Sequence, residues 1–451
     1  MKILFIPLLI LVTSNLRAQE SNLDKYIGEA FKNNQGLQGQ QLQLEKSMVA
    51  LKEARALFLP NISFGASYSK ADGGRTIDLP IGDLFNPVYK SLNQLTNSNA
   101  FPNLKNQSIL LNPDNYYDAR FRTTLPLINA EIYYNEKIKN ENISQQKAAV
   151  NVYKRELVKE IKTAYYKYYQ AVKAEEIYNN ALTLVNENIR VNQSLLKNGM
   201  KNSTALTRSE TEKQKIEASI TQASGNRENV QAYINFLMNR PLESPVALDT
   251  ASFITENQTL LTIMNSNTEG REELQELQSV IQMHELNKKL EGSYMIPKLN
   301  TYLDLGSQGF NFNYNNKTQY YVWGLNLEMN LFAGGLHKYR KQQASIGIQT
   351  AETSYKETSS QMQMQLLQSV NNLRTAISDY QNAKTQLSLS EKYYSDQSKV
   401  YKAGQLLYIE LLDALTQLTN ARLQVAVTIA NMQVAYADAE RNAATYPLNK
   451  L

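Results

Sequence analysis

Residues 150–198 read VNVYKRELVKEIKTAYYKYYQAVKAEEIYNNALTLVNENIRVNQSLLKN and are followed by Gly199. They belong to a longer run, Glu131 to Asn198, that holds no proline and no glycine in 68 residues. Apolar or aromatic residues recur there every seven positions, at Val150, Leu157, Ala164, Ala171, Tyr178 and Val185. A second row, offset by half a heptad, reads Ile161, Tyr168, Leu182, Ile189 and Leu196. Two such rows give one helix a continuous seam for packing in coiled-coil fashion. At ~1.5 Å per residue the run makes a rod about 100 Å long, several times the thickness of a small domain.

A second run, Leu336 to Ala403, ends in Gly404 and repeats the first at a shift of 205 positions. Ile161 then falls on Leu366, Tyr168 on Leu373, Leu182 on Leu387, Ile189 on Tyr394 and Leu196 on Tyr401. Each run turns at its glycine, in Lys197-Asn198-Gly199 and Lys402-Ala403-Gly404, into another proline-free helical stretch of about forty residues. Equal arms, turns and flanks predict an internal duplication. The first half covers residues 19–240, with arms at about 131–198 and 200–238. The second covers 269–445, with arms at about 336–403 and 405–445. A linker, 241–268, joins them, and a tail, 446–451, follows.

The N-terminus places the chain in a compartment. Lys2, the apolar run Ile3–Val12 and the small residue Ala18 read as a secretory signal peptide over residues 1–18, cleaved before Gln19. The net charge is +5, or +3 without Lys2 and Arg17 of the leader, and no basic tract points to nucleic acid. There is no cysteine, so disulfides, thiolate metal sites, a cysteine nucleophile and a lipid on cysteine are all excluded. No later segment approaches the ~20 apolar residues of a transmembrane helix. Any hold on a membrane must come from strands.

Residues 21–58 and 269–295 form amphipathic helical segments that stop at Leu59-Pro60 and Ile296-Pro297, where proline launches extended chain. The hydrophobic period then changes from seven to two. Ile62, Phe64, Ala66 and Tyr68 alternate with polar residues or glycine, and so do Ala119, Phe121, Thr123 and Leu125. In the second half the same holds for Leu299, Thr301, Leu303 and Leu305, and for Tyr321, Trp323, Leu325, Leu327 and Met329. We expect four membrane strands, at about 59–70, 117–128, 297–307 and 319–331, with one face to lipid and one to water. Four strands cannot close a barrel, and open edges are not tolerated in lipid. Three copies would supply twelve strands.

The connections at the ends of the strands away from the helices should lie outside the cell. One is the insert Ala71–Tyr116, rich in Asn, Pro and Gly, for which a solvated loop is expected. Its part Thr76–Phe85 is apolar enough to fold back over a pore mouth. The other, Phe310–Gln319, is short. The linker, with Pro245 and many Ser, Thr and Asn, should be irregular.

Catalytic chemistry is not legible. His284 and His337 lack metal-ligand spacing and are expected in surface or packing roles, and no phosphate loop or nucleophile elbow occurs. The chain is expected to be no enzyme and to carry no cofactor. Past the second turn, Glu410 and Asp413 stand three apart and share a helix face. Threefold symmetry would turn them into a ring of carboxylates that favours cations and repels itself when closed.

The order helix, Leu-Pro, strand, strand, long arm, glycine turn and return arm, given twice behind a signal peptide, resembles the TolC-like outer-membrane factors. The resemblance runs through Asn33-Asn34, Leu59-Pro60, Leu127-Ile128-Asn129-Ala130, Leu331-Phe332-Ala333-Gly334-Gly335 and Lys402-Ala403-Gly404. It implies a mixed α/β membrane protein, mainly α. A homotrimeric twelve-stranded outer-membrane β-barrel, four strands per protomer, would continue into a coiled-coil helical tunnel in the periplasm. The implied partners are outer-membrane lipid, a periplasmic adaptor (membrane fusion protein) at the tip turns Lys197, Gly199, Lys402 and Gly404, and an inner-membrane transporter of RND, ABC or MFS type. Glu410 and Asp413 match the family's acidic constriction, with Glu in place of Asp at the first. Tyr401 matches an aromatic latch before the turn. Ala205 replaces an Asp partner of that tyrosine and Leu406 an Arg, so the latch is expected to be weaker or rebuilt with Arg208.

The resemblance implies the passive exit duct of a tripartite efflux or type I secretion system. The competing class is a non-channel periplasmic coiled-coil adaptor or scaffold, for which the chain lacks the strands of the usual soluble barrel modules.

Overall fold

A computed structural model describes residues 21–199, 203–249, 263, 266 and 268–448. The expected signal peptide, most of the expected linker from 250 on and the last three residues of the tail lie outside the described residues. Elements follow in the order α1 (Asn22–Asn33), α2 (Gln35–Ala56), β1 (Asn61–Ser69), β2 (Thr76–Leu79), α3 (Ile81–Thr96), β3 (Gln107–Leu110), β4 (Tyr116–Ile128), α4 (Ala130–Lys197) and α5 (Ser203–Leu237). The second half adds α6 (Glu272–Gly292), β5 (Lys298–Phe310), β6 (Gln319–Glu328), α7 (Leu336–Lys402) and α8 (Tyr408–Ala443). No described helix is long and apolar enough to cross a membrane.

Two compact units result. One gathers residues up to 48, 141–282 and 348–451; the other gathers 49–140 and 283–347. The first is helical. Its main core sets Tyr26, Ile27 and Ala30 of α1 and Leu37 of α2 against Leu157, Ile161 and Tyr165 of α4 and Ile234 of α5. The predicted row on α4 is mostly covered: Val150, Leu157, Ala164 and Val185 are buried, while Ala171 and Tyr178 are half-buried. Leu196, the end of the second row, is exposed. On α7 Met362, Ser369, Ala383 and Ser390 are buried at multiples of seven, beside Ala344, Ala351, Val370 and the predicted Leu373 and Tyr401. Small residues there let a neighbouring helix approach closely.

The N-terminal helical segment differs from the expectation in being broken. Asn34 leaves the helix at ψ 121°. Its side chain explains the break: Oδ1 accepts from the Leu37 amide at 2.9 Å, capping α2, while Nδ2 donates to the Leu237 carbonyl at 2.9 Å. The described start of the linker is irregular. The Tyr26 hydroxyl accepts from the Ala247 amide and the Tyr165 hydroxyl from the Asp249 amide, at 2.8 and 2.9 Å.

The second unit is built on one antiparallel sheet in the order β1-β4-β5-β6. The insert between β1 and β4 is not the solvated loop expected from its composition. It carries the hairpin β2–β3, the 16-residue helix α3 and a return segment tied back to that helix. The histidines pack. The His337 ring stacks on Tyr294 at 4.3 Å between centroids, with Nδ1 3.7 Å from the Glu291 carboxylate, and His284 lies against Gly347.

Candidate functional site

Two places carry functional geometry, one in each unit. In the sheet, strand register decides which side chains share a face. Phe64 pairs with Phe121, Phe121 with Leu305 and Leu305 with Tyr321, so one row of large apolar side chains crosses all four strands. The next row runs Ile62, Thr123, Leu303 and Trp323. Most of these side chains are uncovered, with Phe64 63%, Tyr321 76% and Trp323 65% exposed, while Thr123 and Leu303 are half-buried. A soluble sheet would bury such a face.

The opposite face is polar. The row Ser63, Arg122, Asp304 and Val322 contains a two-pronged ion pair, in which Arg122 Nε and Nη2 donate to the Asp304 carboxylate at 2.7 and 2.6 Å. Arg120 donates to Asp118 at 2.8 Å, and the Tyr320 hydroxyl donates to the other Asp118 oxygen at 2.8 Å. Gly324 lets the Tyr302 ring lie flat, since a Cβ there would meet that ring at 2.7 Å. Arg122 sits over the same ring, 5.3 Å from its centroid. Arg122, Thr124, Asn300, Tyr302 and Asn326 line a trough of about 750 Å³. Such a division suits a strand with lipid on one side and water on the other.

The second place is where the arms turn. Both arms end on a glycine in the left-handed region, Gly199 at φ 69° and Gly404 at φ 80°. The Gly404 amide donates to the Tyr401 carbonyl and the Gln405 amide to the Val400 carbonyl, the bonds of a glycine C-cap. Lys197 and Lys402 are exposed on the last turns, where a cation suits the helix dipole. Residues 200–202 of the first turn lie outside the described residues.

Glu410 and Asp413 are both exposed on the outward side of α8, while Leu411, Ala414 and Leu415 face the core. Glu410 also has a local task, accepting from the Leu407 amide at 3.2 Å at the start of its helix. Asp413 accepts from Gln417 at 2.7 Å. Tyr401 is buried, and its hydroxyl donates to Asn192 Oδ1. Asn192 Nδ2 in turn reaches the Ser209 hydroxyl at 3.2 Å and the Ala205 carbonyl at 3.3 Å. Arg208, by contrast, is exposed, and the structure brings Asn192 and not Arg208 to Tyr401. Tyr408 packs on Tyr401 with centroids 5.8 Å apart. Burial pushes the Tyr408 hydroxyl up to about 12, against the pull of the Ser209 hydroxyl, and burial also raises Tyr401. The cluster is therefore uncharged at neutral pH.

Asn192 was missed in the sequence although a signal exists. It stands seven residues after Val185, at the next core position of the heptad row, where one polar residue sets register at some cost in stability. A belt of ion pairs was missed as well, and it joins α4 to α6 and α8. Arg155 holds Glu272 through two bonds of 2.6 Å, Lys162 meets Glu440 at 2.5 Å, and Arg441 reaches both Glu156 and Glu273. Arg271, 1% exposed, donates to the same Glu273 at 2.7 Å. Burial opposes ionisation of Glu273, but Arg271 and Arg441 outweigh it and hold the carboxyl below its usual range. Among the described residues no cluster of His, Asp and Glu has the makings of a metal site.

No protein-family model and no curated protein sequence matches the chain. Solved structures do. The CmeC outer membrane channel of Campylobacter jejuni superposes with a TM-score of 0.72 at 14% identity, over 94% of this chain and 85% of that one. The outer membrane protein VceC of Vibrio cholerae gives 0.72 at 13%, over 93% and 95%. The MtrE outer membrane channel of Neisseria gonorrhoeae, solved in an open state, gives 0.73 at 14%, over 94% and 89%. CmeC and MtrE are outer membrane channels. The chain has the TolC-like fold of the outer-membrane efflux channels, over nearly its whole length.

Proposed function

We propose that the chain is the outer-membrane exit duct of a tripartite efflux or type I secretion system. It conducts substrates passively, with energy supplied by an inner-membrane transporter of RND, ABC or MFS type through a periplasmic adaptor. The observation that carries this reading is the four-stranded sheet. Its exposed apolar rows, its ion-paired polar face and its two unpaired edges, β1 and β6, make it a sector of a lipid-embedded barrel lined with water. Three copies close twelve strands, and their paired arms wall a tunnel in the periplasm. The neighbours' fold supports the same reading.

The two halves, 19–240 and 269–445, are a duplication. In support, α4 and α7 have 68 and 67 residues, and each ends at a positive-φ glycine. The inner end of the duct closes at the tips. There Glu410 and Asp413 form the acidic constriction, Tyr401 the latch through Asn192 with Arg208 exposed on α5, and Lys197, Gly199, Lys402 and Gly404 the surface met by the adaptor. Fractionation tests the reading. Outer-membrane extracts should hold a heat-sensitive trimer that forms single channels in planar bilayers; a monomer in the soluble periplasmic fraction would overturn it.

A further inference from the structure

The helix α3 has an apolar face that the described residues cover only in part, Ile81 and Leu92 being half-buried and the rest exposed. Ile81, Val88 and Leu95 recur every seven residues, flanked by Leu84, Phe85 and Leu92. Val88 is 51% and Leu95 83% exposed. The face is held outward because the other side of the helix is fastened down. Asn86 and Asn93 each exchange two bonds with the backbone of the return segment, at Leu104 and at Phe101, and Asp83 exchanges two with Asn106. The helix cannot roll its apolar stripe inward without breaking all six.

Two candidates could cover the stripe, a lipid surface or more copies of the same helix. An interfacial helix carries Lys and Arg along its polar face. This one has a single lysine, Lys90, and a single acid, Asp83, both on the fastened side, so identical stripes can meet without placing like charges together. Spacing of seven over 16 residues, two heptads, is what parallel helices around a common axis require. The insert also springs from β1, an open edge of the sheet, at the end where each protomer of a closed barrel would present one copy.

We propose that the α3 helices of three copies pack through Ile81, Val88 and Leu95 into an apolar collar over the outer mouth of the barrel. The proposal rests on the trimeric reading above. The collar narrows the outer mouth by a ring of side chains that repel water, a constriction separate from the acidic tips.

The absence of cysteine makes the test direct. In the full-length protein, Val88→Cys and Leu95→Cys are each treated with an oxidant and with a short bifunctional maleimide, and Lys90→Cys serves as the control on the fastened side. Light scattering of the same preparation reports the trimer. Covalent dimers from the two stripe variants and none from the control are expected. A trimer whose stripe cysteines do not link overturns the collar and leaves the barrel standing. No trimer overturns both. A fluorophore on Val88→Cys that is quenched by brominated lipid assigns the stripe to the membrane and overturns the collar.

Discussion

The Tyr401 hydroxyl donates to the side-chain oxygen of Asn192, tying the last turn of α7 to the last turns of α4. Both residues are buried, and both are neutral in this setting. A neutral hydrogen bond contributes ~1 kcal/mol, little enough for a partner to break during opening. Tyr401→Phe should therefore raise the open probability of single channels in planar bilayers while lowering thermal stability by about 1 kcal/mol. Because no charge is involved, the effect should not change with ionic strength. A salt-dependent effect would count against a neutral latch.

Glu410 combines a local bond with a charge, and two substitutions separate them. Glu410→Gln keeps an acceptor for the Leu407 amide, whereas Glu410→Ala loses it and should cost ~1 kcal/mol of helix stability. Glu410→Gln with Asp413→Asn removes both charges and should shift the reversal potential toward lower cation selectivity without a loss of melting temperature. Unchanged selectivity would remove both residues from the pore.

The sheet can be tested one face at a time. Trp323 and Val322 are neighbours on β6 with side chains on opposite faces. Trp323→Arg places a charge among the apolar rows and should cost ~2–4 kcal/mol in the hydrocarbon zone. Heat-sensitive trimers in the membrane fraction should fall sharply. Val322→Arg, on the polar face, should assemble normally and lower the conductance of cations. Equal assembly of the two variants would contradict a lipid-facing row.

Acid should weaken the belt of ion pairs at a place that can be named. The Glu273 carboxyl is held below its ordinary value by Arg271 and Arg441 against the opposing effect of burial. Its contribution is therefore fully present above the ordinary glutamate range and is lost as pH falls through the depressed folded value. Glu273→Gln leaves Arg271 buried without its anionic partner and should cost ~3–5 kcal/mol at neutral pH. Melting temperatures followed downward from pH 7 should converge for variant and parent as pH falls through that depressed value and the Glu273 carboxylate is lost.

The arms, the strands and the faces of the strands could be read in the sequence because their signals are local. A period of seven over Val150 to Val185, a proline at 60 and at 297, and a period of two around Phe64 or Trp323 need no knowledge of what lies across the fold. Observed strand ends fall within a few residues of those expected. The acidic pair was likewise legible as two carboxylates three positions apart on one helix face. Other features depend on residues far apart in sequence. Tyr401 and Asn192 are 209 residues apart, and Arg155 and Glu272 are 117 apart. Asn34 breaks its helix only because the Leu237 carbonyl waits for its amide. The insert looked like a loop because asparagine and proline disfavour helix; in the fold those asparagines bind the returning backbone, and Pro87 is accommodated within α3. Periodicity alone determined what each segment is and which side is apolar. Tertiary structure decided which polar groups find each other, because a hydrogen bond or ion pair is specified by the meeting of two groups and not by either one's neighbours in the chain.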